Sequence, residues 1–215
     1  MIEKRPIIFL LLAFCAIMIG TLVTMVAPFR WINDPKTAIA EVKPYTPLQL
    51  EGRDIYIREG CNNCHTQTVR ALLADVERYG DYSKAGEFAY DQPFLWGSRR
   101  TGPDLARIGG KYPDAWHYKH MADPQSMAPH SNMPRYAFLS QPLDSNLTER
   151  KMKALHFPYT AADLAALKGK SEMDALVAYL QKVGNDIPRR KKAQAAVDGN
   201  LKNGCDQKVS LYAAR

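Results

Sequence analysis

The apolar residues of this chain are unevenly distributed, and the unevenness predicts its architecture. Residues Ile7 to Ala27 (IIFLLLAFCAIMIGTLVTMVA) carry no charge over 21 positions. At about 1.5 Å per residue, a helix of that length spans roughly 31 Å, which matches a hydrocarbon core of about 30 Å. Past this run the pattern changes to helices with legible ends. Thr46 followed by Pro47 predicts an N-cap and first helical position, with the helix running through LQLEGRDIYIREG. Ser171 and Asp174 have the capping-box form, and Met173, Leu176, Val177 and Leu180 fall at i, i+3, i+4 and i+7. Gly184 is placed to end that helix. A shorter helix is expected from Thr160, with Asp163 at its third position. Residues 66–100, rich in Tyr, Gly and Asp, predict an irregular insertion with short helical pieces. The frequent Pro and Gly of residues 102–134 predict loops, and no stretch alternates convincingly as a strand.

A cleaved signal peptide is the competitor for the apolar run, because Lys4 and Arg5 precede it. The run is longer than an h-region of about 7 to 15 residues, and no A-x-A site follows, so a retained anchor is expected. Trp31 stands where an interfacial aromatic would lie. Arg30, Lys36 and Lys43 beyond the far end oppose the charge bias of Lys4 and Arg5, and charge alone leaves the orientation open.

The predicted organisation is an anchor over residues 1–30, a linker over 31–45, one compact domain over 46–184, and a basic polar tail over 185–215. The whole chain has 215 residues and a formal charge of +7. Its mean hydropathy of −0.34 excludes a polytopic membrane protein. From Pro28 onward 27 basic and 21 acidic residues are interspersed over 188 positions, which reads as a solvated surface. No nucleic-acid-binding motif accompanies the charge, and no nucleic acid partner is expected. Gly109-Gly110-Lys111 is followed by Tyr112, so it is no phosphate loop. Asn146-Leu147-Thr148 is a glycosylation match of the kind that arises by chance.

Four cysteines punctuate the chain: Cys15 inside the apolar run, Cys61 and Cys64, and Cys205 in the tail, which has no assigned role. Cys61-Asn62-Asn63-Cys64-His65 is the attachment sequence for a c-type haem. Two thiols can add to the vinyl groups of one porphyrin while the adjoining imidazole reaches its iron. A zinc site would need a second ligand pair at close spacing, and a thioredoxin-like pair would need a strand–helix context. One motif implies one covalently attached haem c. Attachment outside the cytoplasm then resolves the orientation, with the N-terminus cytoplasmic and the domain periplasmic.

The iron's sixth position has several candidates downstream: Met121, Met127, Met133 and Met152, with His117, His120, His130 and His156. Ser131-Asn132-Met133-Pro134 sets a Met in a proline-held loop 68 residues after His65. A His/Met pair raises the reduction potential and suits electron transfer. Met133 is therefore the preferred ligand with His65, ahead of Met127 and His130.

Thr101-Gly102-Pro103-Asp104-Leu105 resembles the loop that, in class I cytochromes c, supplies a carbonyl to the ligating His. That resemblance puts the acceptor on Pro103. The segments GCNNCHTQTVR, VERYGDYSKAGEF, QPFLWGSRRTGPDLARIGGKY and SNMPRY, together with the single N-terminal span, are similar to the monohaem subunit of cbb3-type cytochrome c oxidases, almost as far as Gly184. The fold expected is mainly α, a transmembrane helix followed by a class I cytochrome c-like haem domain with an irregular insertion. The resemblance implies an electron relay in the bacterial inner membrane, from a dihaem cytochrome c subunit to a haem–copper catalytic subunit that reduces oxygen. It also implies that Cys61 and Cys64 hold the haem and that His65 and Met133 are axial ligands. Arg99 and Arg100 are candidates for a haem propionate, with Arg100 preferred, since guanidinium suits a bidentate carboxylate contact. Trp96 is expected to pack against the porphyrin edge, and Tyr56 and Tyr179 to join the first and last domain helices. The small haem c subunit of a nitric oxide reductase is the nearest alternative; a gas sensor or a peroxidase would require an output domain, an open iron or a second haem.

Overall fold

The computed structural model describes residues 5–32, 39, 41–91 and 93–187. The basic tail beyond 187, Cys205, Gln92 and most of the linker lie outside the described residues.

The apolar run forms α1 (Pro6–Thr21), a π-helical turn over Leu22–Val26, and α2 (Ala27–Ile32). None of the α1 side chains is buried by protein. Pro6–Val26 is 21 residues long and apolar enough to cross a membrane. Inside hydrocarbon every polar group must be satisfied within the helix. The Thr24 hydroxyl does this by donating to the Gly20 carbonyl at 2.8 Å.

The remainder is helical, and among the described residues only isolated β-bridges occur. Its centre is the crossing of α3 (Pro47–Arg58) and α8 (Glu172–Lys182). Thr46 caps α3 and closes a reciprocal box with Gln49, and Ser171 does the same for α8 with Asp174. The two helices approach at Gly52, where a Cβ would stand 1.9 Å from the Ala175 carbonyl oxygen. No side chain fits there, so the glycine sets the helix separation at its expense in helix propensity. Around it pack Leu50, Ile55, Tyr56, Leu176, Val177, Tyr179 and Leu180, all nearly inaccessible. The Tyr56 and Tyr179 rings meet with centroids 5.4 Å apart, joining first and last helices as expected.

Helix α5 (Asp114–Ala122) packs against α8, α6 (Thr148–Leu155) and α7 (Ala161–Ala165) pack against α3, and α4 (Leu73–Tyr79) lies earlier in the chain. The insertion holds α4 and a 3₁₀ turn over Ala85–Phe88, the short helical pieces expected there. Residues 102–134 are not all loop: α5 runs through them, beginning after Pro113 without a side-chain cap. Helix α6 is also absent from the sequence reading. Half of its eight residues, TERKMKAL, are charged; Met152 is fully buried, and Thr148 donates from its first turn to the buried Glu51 carboxylate at 2.6 Å. Thr160 and Asp163 form the expected capping box of α7. Helix α8 ends as expected, with Gly184 at φ +69° beyond its last turn, close against the Ala106 carbonyl.

An ion pair closes the start of α8. Arg58 donates twice to Glu172, at 2.7 and 2.6 Å, and Gln141 Nε2 donates to the same carboxylate at 2.7 Å. The guanidinium holds the Glu172 carboxyl below the ordinary glutamate value against the opposing effect of burial. A carboxylate depressed by folding contributes stability above its unfolded pKa and loses it as the pH falls through the folded one. Glu172→Gln should therefore cost about 1 kcal/mol near neutrality, a fall of roughly 2–8 °C in Tm. The gap to wild type should narrow by about pH 3, below the ordinary glutamate pKa of about 4.3, and go on narrowing as the pH falls through the depressed folded value. Thermal melts at the two pH values check this, and an equal gap at both would show that the ion pair is not its source.

Candidate haem site

The cysteine motif leaves α3 at a break. Gly60, at φ +69°, turns the chain out of the helix into a 3₁₀ turn over Cys61–Asn63. The His65 N–H donates to the Cys61 carbonyl at 2.9 Å, closing the loop on itself. This compact turn keeps Cys61, Cys64 and His65 together. Neither Cys61 nor Cys64 is in a disulfide. Burial, followed by the Glu59 carboxylate, pushes the Cys61 thiol up to about 11, so it is a neutral thiol near pH 7.

His65 is positioned from three sides. Its carbonyl accepts the Tyr56 hydroxyl at 2.9 Å, and that buried tyrosine belongs to the helix crossing. Its backbone pairs with Arg100 in an antiparallel bridge. Its ring lies against Gly102, where a Cβ would stand 2.1 Å from Cε1. Across this contact the Nδ1–H donates to the Pro103 carbonyl at 2.8 Å. That bond fixes the tautomer and leaves Nε2 as the lone-pair nitrogen, the state a metal-binding imidazole needs. Gly102 and Pro103 are thus two parts of one cradle.

Buried polar bonds lock the cradle to the residues after His65. Gly102 N–H donates to the Cys64 carbonyl at 3.1 Å and Leu105 N–H to the Thr66 carbonyl at 2.9 Å. The Thr66 hydroxyl accepts Gly97 N–H at 2.9 Å. Asp104, almost fully buried, accepts from Ala106 N–H at 2.8 Å and Thr68 N–H at 3.1 Å. Gln67 donates from Nε2 to the Tyr179 hydroxyl at 2.9 Å. Sequence reasoning missed Thr66 and Gln67 as structural residues. Their only signal is adjacency to the motif, since nothing in a Thr-Gln-Thr run announces burial. The cradle's far end is tied to α8, where Gly109 N–H donates to the Val183 carbonyl at 2.9 Å.

Met133 is half-buried and, like Cys61 and Tyr136, packs against the core. Its loop is fastened to the end of α5 by three bonds. Tyr136 N–H donates to the Met121 carbonyl at 2.8 Å, Arg135 Nε to Asp123 at 3.0 Å, and Gln125 Nε2 to the Ser131 carbonyl at 3.3 Å. Burial, with Cys61, Glu59 and Cys64 after it, pushes the Tyr136 hydroxyl up. Of the rival sulfurs, Met121 and Met152 are spent in the core. His130 is exposed, and His156 sits in the left-handed position that ends α6.

Arg100 has one committed nitrogen. Nη2 donates to the Thr68 carbonyl and to Asp75, each at 2.8 Å, while Nε and Nη1 are buried without a partner. The cluster also includes Arg70, whose hydrogen bonds come first in holding Asp75 down to about 2. Trp96 stands in a cluster with Phe88 and Phe94, at 5.5 and 4.7 Å between ring centroids, with two-fifths of its surface exposed. Among the described residues no three His, Cys, Asp or Glu side chains group as a metal-ion cluster.

These residues fit a haem: two unpaired thiols on one turn, an imidazole with a single uncommitted nitrogen, a glycine cradle, and unpartnered guanidinium donors. Gly102→Ala would drive a methyl group into the His65 ring and break its bond to Pro103. Haem retained per chain should fall severalfold in that variant. Gly97→Ala should retain wild-type levels, because its added Cβ meets nothing nearer than 3.9 Å. Haem-stained gels normalised to protein measure this, and equal retention by the two variants would contradict the cradle.

A comparison with curated proteins returns no match. The chain does match, over residues 1–170, the family described as cytochrome c oxidase, mono-heme subunit/FixO. That match covers more than half of the 215 residues and carries with it one haem, electron transport and the company of other oxidase subunits. The chain belongs to the family of mono-haem subunits of cytochrome c oxidase, the FixO family.

Proposed function

We propose that this oxidase subunit is a membrane-tethered electron relay carrying one covalently attached haem c. Cys61 and Cys64 form the thioethers, His65 and Met133 are the axial ligands, Pro103 orients His65, and Arg100 meets a propionate through Nε and Nη1. The observation that carries this reading is the His65 ring, seated on Gly102 with Nδ1 bonded to Pro103 at 2.8 Å. Such a fixed imidazole beside two thiols has the parts of a c-type site. When bound, haem supplies one-electron chemistry, and His/Met ligation would set a high potential.

The protein's own contribution to electron transfer is rigidity. An imidazole held by the backbone of two loops and a sulfur held by a strapped loop keep the same positions in both oxidation states, so little reorganisation accompanies each electron. The donor is a dihaem cytochrome c subunit and the acceptor is the haem–copper catalytic subunit of a cbb3-type oxidase, where oxygen reduction takes place. Residues 1–30 anchor the chain in the bacterial inner membrane with the N-terminus cytoplasmic. Residues 31–45 link this anchor to a periplasmic haem domain over 46–184, and 185–215 form the tail. The orientation follows from extracytoplasmic haem attachment. The family match does not favour the nitric oxide reductase alternative.

Mild detergent extraction of the tagged chain should co-purify a haem–copper subunit and a dihaem c subunit, identified by mass spectrometry. Recovery with a nitric oxide reductase catalytic subunit, and with no dihaem c subunit, would contradict the relay assignment.

A further inference from the structure

We propose that Tyr118 is the positioning residue of the sixth ligand: its hydroxyl bond to Asp174 sets helix α5 on α8, and through α5 it sets the Met133 sulfur. The inference rests on the reading above, in which His65 and Met133 are the axial ligands, and names what holds the second of them in place.

The two ligands are carried by different parts of the domain. His65 hangs on α3 through the Tyr56 hydroxyl and on the 102–105 loop through Pro103. The Met133 strap hangs on α5 and the turn that follows it. Ala128 N–H donates to the Pro124 carbonyl at 2.9 Å, Gln125 Nε2 to the Ser131 carbonyl at 3.3 Å, and Tyr136 N–H to the Met121 carbonyl at 2.8 Å. Arg135 and Asp123 are both exposed, so the backbone bond at Tyr136 carries more of the tie than their ion pair. Helix α5 is itself stiff. Trp116 stacks on His120 one turn later at 4.7 Å and 13°, and Tyr112 stacks on Trp116 at 4.1 Å and 15°. Where α5 goes, the strap goes with it.

Polar bonds fasten α5 to α8 at both ends of the contact. Gln181, in the last turn of α8, donates from Nε2 to Asp114 at 2.7 Å and to the Tyr112 carbonyl at 2.9 Å, which holds the start of α5. At the first turn of α8, the Tyr118 hydroxyl donates to Asp174 Oδ1 at 2.5 Å, three residues before the Met121 carbonyl that takes the strap. A short bond to an ionised acceptor belongs to the stronger class of hydrogen bonds. Burial, then the Asp174 carboxylate, push the Tyr118 hydroxyl up to about 12, so it remains a donor throughout the neutral range. Asp174 does two jobs on separate oxygens. Its Oδ2 accepts Ser171 N–H at 2.8 Å, while the Ser171 hydroxyl accepts Asp174 N–H at 3.1 Å, closing the cap of α8. The cap and the clamp can therefore be cut one at a time. Without the clamp, α5 keeps its Gln181 bonds and loosens at the end that carries the strap. The sulfur then leaves the iron more often, while His65, held elsewhere, keeps its place.

The test uses the full-length, haem-loaded ferric chain. Cyanide can take the sixth position only while the sulfur is off it, so its binding rate reads how often that happens. Tyr118→Phe should bind cyanide about tenfold faster than wild type, the scale of a lost bond to a charged group. Its Met-to-iron charge-transfer absorption should also disappear at a lower temperature than in wild type. Ser171→Ala removes the cap and leaves the clamp, so it should lower Tm yet keep the cyanide rate within about twofold of wild type. A wild-type rate in Tyr118→Phe, or an equal acceleration in Ser171→Ala, would overturn the proposal. In a Met133→Ala background cyanide entry should already be fast, and adding Tyr118→Phe should not change it. Further acceleration there would show that Tyr118 does not act through the sulfur, and would likewise overturn it. Should Tyr118→Phe not retain haem, Asp174→Asn decides: a faster rate supports the clamp, and a wild-type rate overturns it. Absence of the charge-transfer absorption from the wild-type chain would undo the Met133 ligation instead, so the two failures are distinguishable.

Discussion

Holding one imidazole ring still is the constraint on which this site depends. A histidine can rotate about two side-chain bonds and exchange its proton between nitrogens, and either freedom would spoil it as an axial ligand. Here one face of the ring meets Gly102, where even a methyl group has no room, and Nδ1 donates to the Pro103 carbonyl at 2.8 Å. Pro103 has a restricted φ, so less backbone entropy is lost in placing the residue that accepts this bond. The rest of the domain keeps this loop against the motif. Asp104, Thr66 and Leu105 link the two segments, and Tyr56 carries their position back to the α3–α8 crossing.

The crossing has a reciprocal dependence on small residues. Gly52 and Ala175 let two helices meet almost backbone to backbone, which brings Tyr56 and Tyr179 close enough to pack and to reach His65 and Gln67. A buried ionic group stiffens the neighbouring region, where Arg53 donates to Asp91 at 2.6 Å and the Tyr45 hydroxyl donates to the same carboxylate at 2.9 Å. Buried ion pairs are poor sources of net stability but strongly penalise alternatives that leave one partner alone. This geometry suits a domain that must present the same site through each redox cycle.

Much of this was legible in the sequence because it rests on local chemistry. The caps at Thr46, Thr160 and Ser171 obey short-range rules, and all three reciprocal boxes form. The membrane span follows from 21 uncharged residues, and the haem motif from five consecutive ones. Long-range necessity was invisible. Helix α5 (DAWHYKHMA) has no side-chain cap and buries His117 along with Met121, so neither its start nor its inward face looks like a helix stripe. Helix α6 has charged side chains at four of its eight positions and is held by Met152 and by Thr148 on Glu51. The roles of Gly52, Thr66 and Gln67 arise from residues tens to more than a hundred positions away. The same holds for Arg100, whose carboxylate partner Asp75 stands 25 positions earlier, in the insertion.

Among the described residues nothing buries the apolar helix, as suits a membrane span, and the strapped histidine and methionine of the domain make sense when a haem completes it. Intact mass spectrometry of the purified full-length chain tests that centre most directly. The expected mass equals the polypeptide plus one haem, persisting under denaturing conditions and falling to polypeptide alone when Cys61 and Cys64 are both replaced by Ala. An unmodified polypeptide mass for the native chain, or an added haem that survives the double replacement, would contradict it.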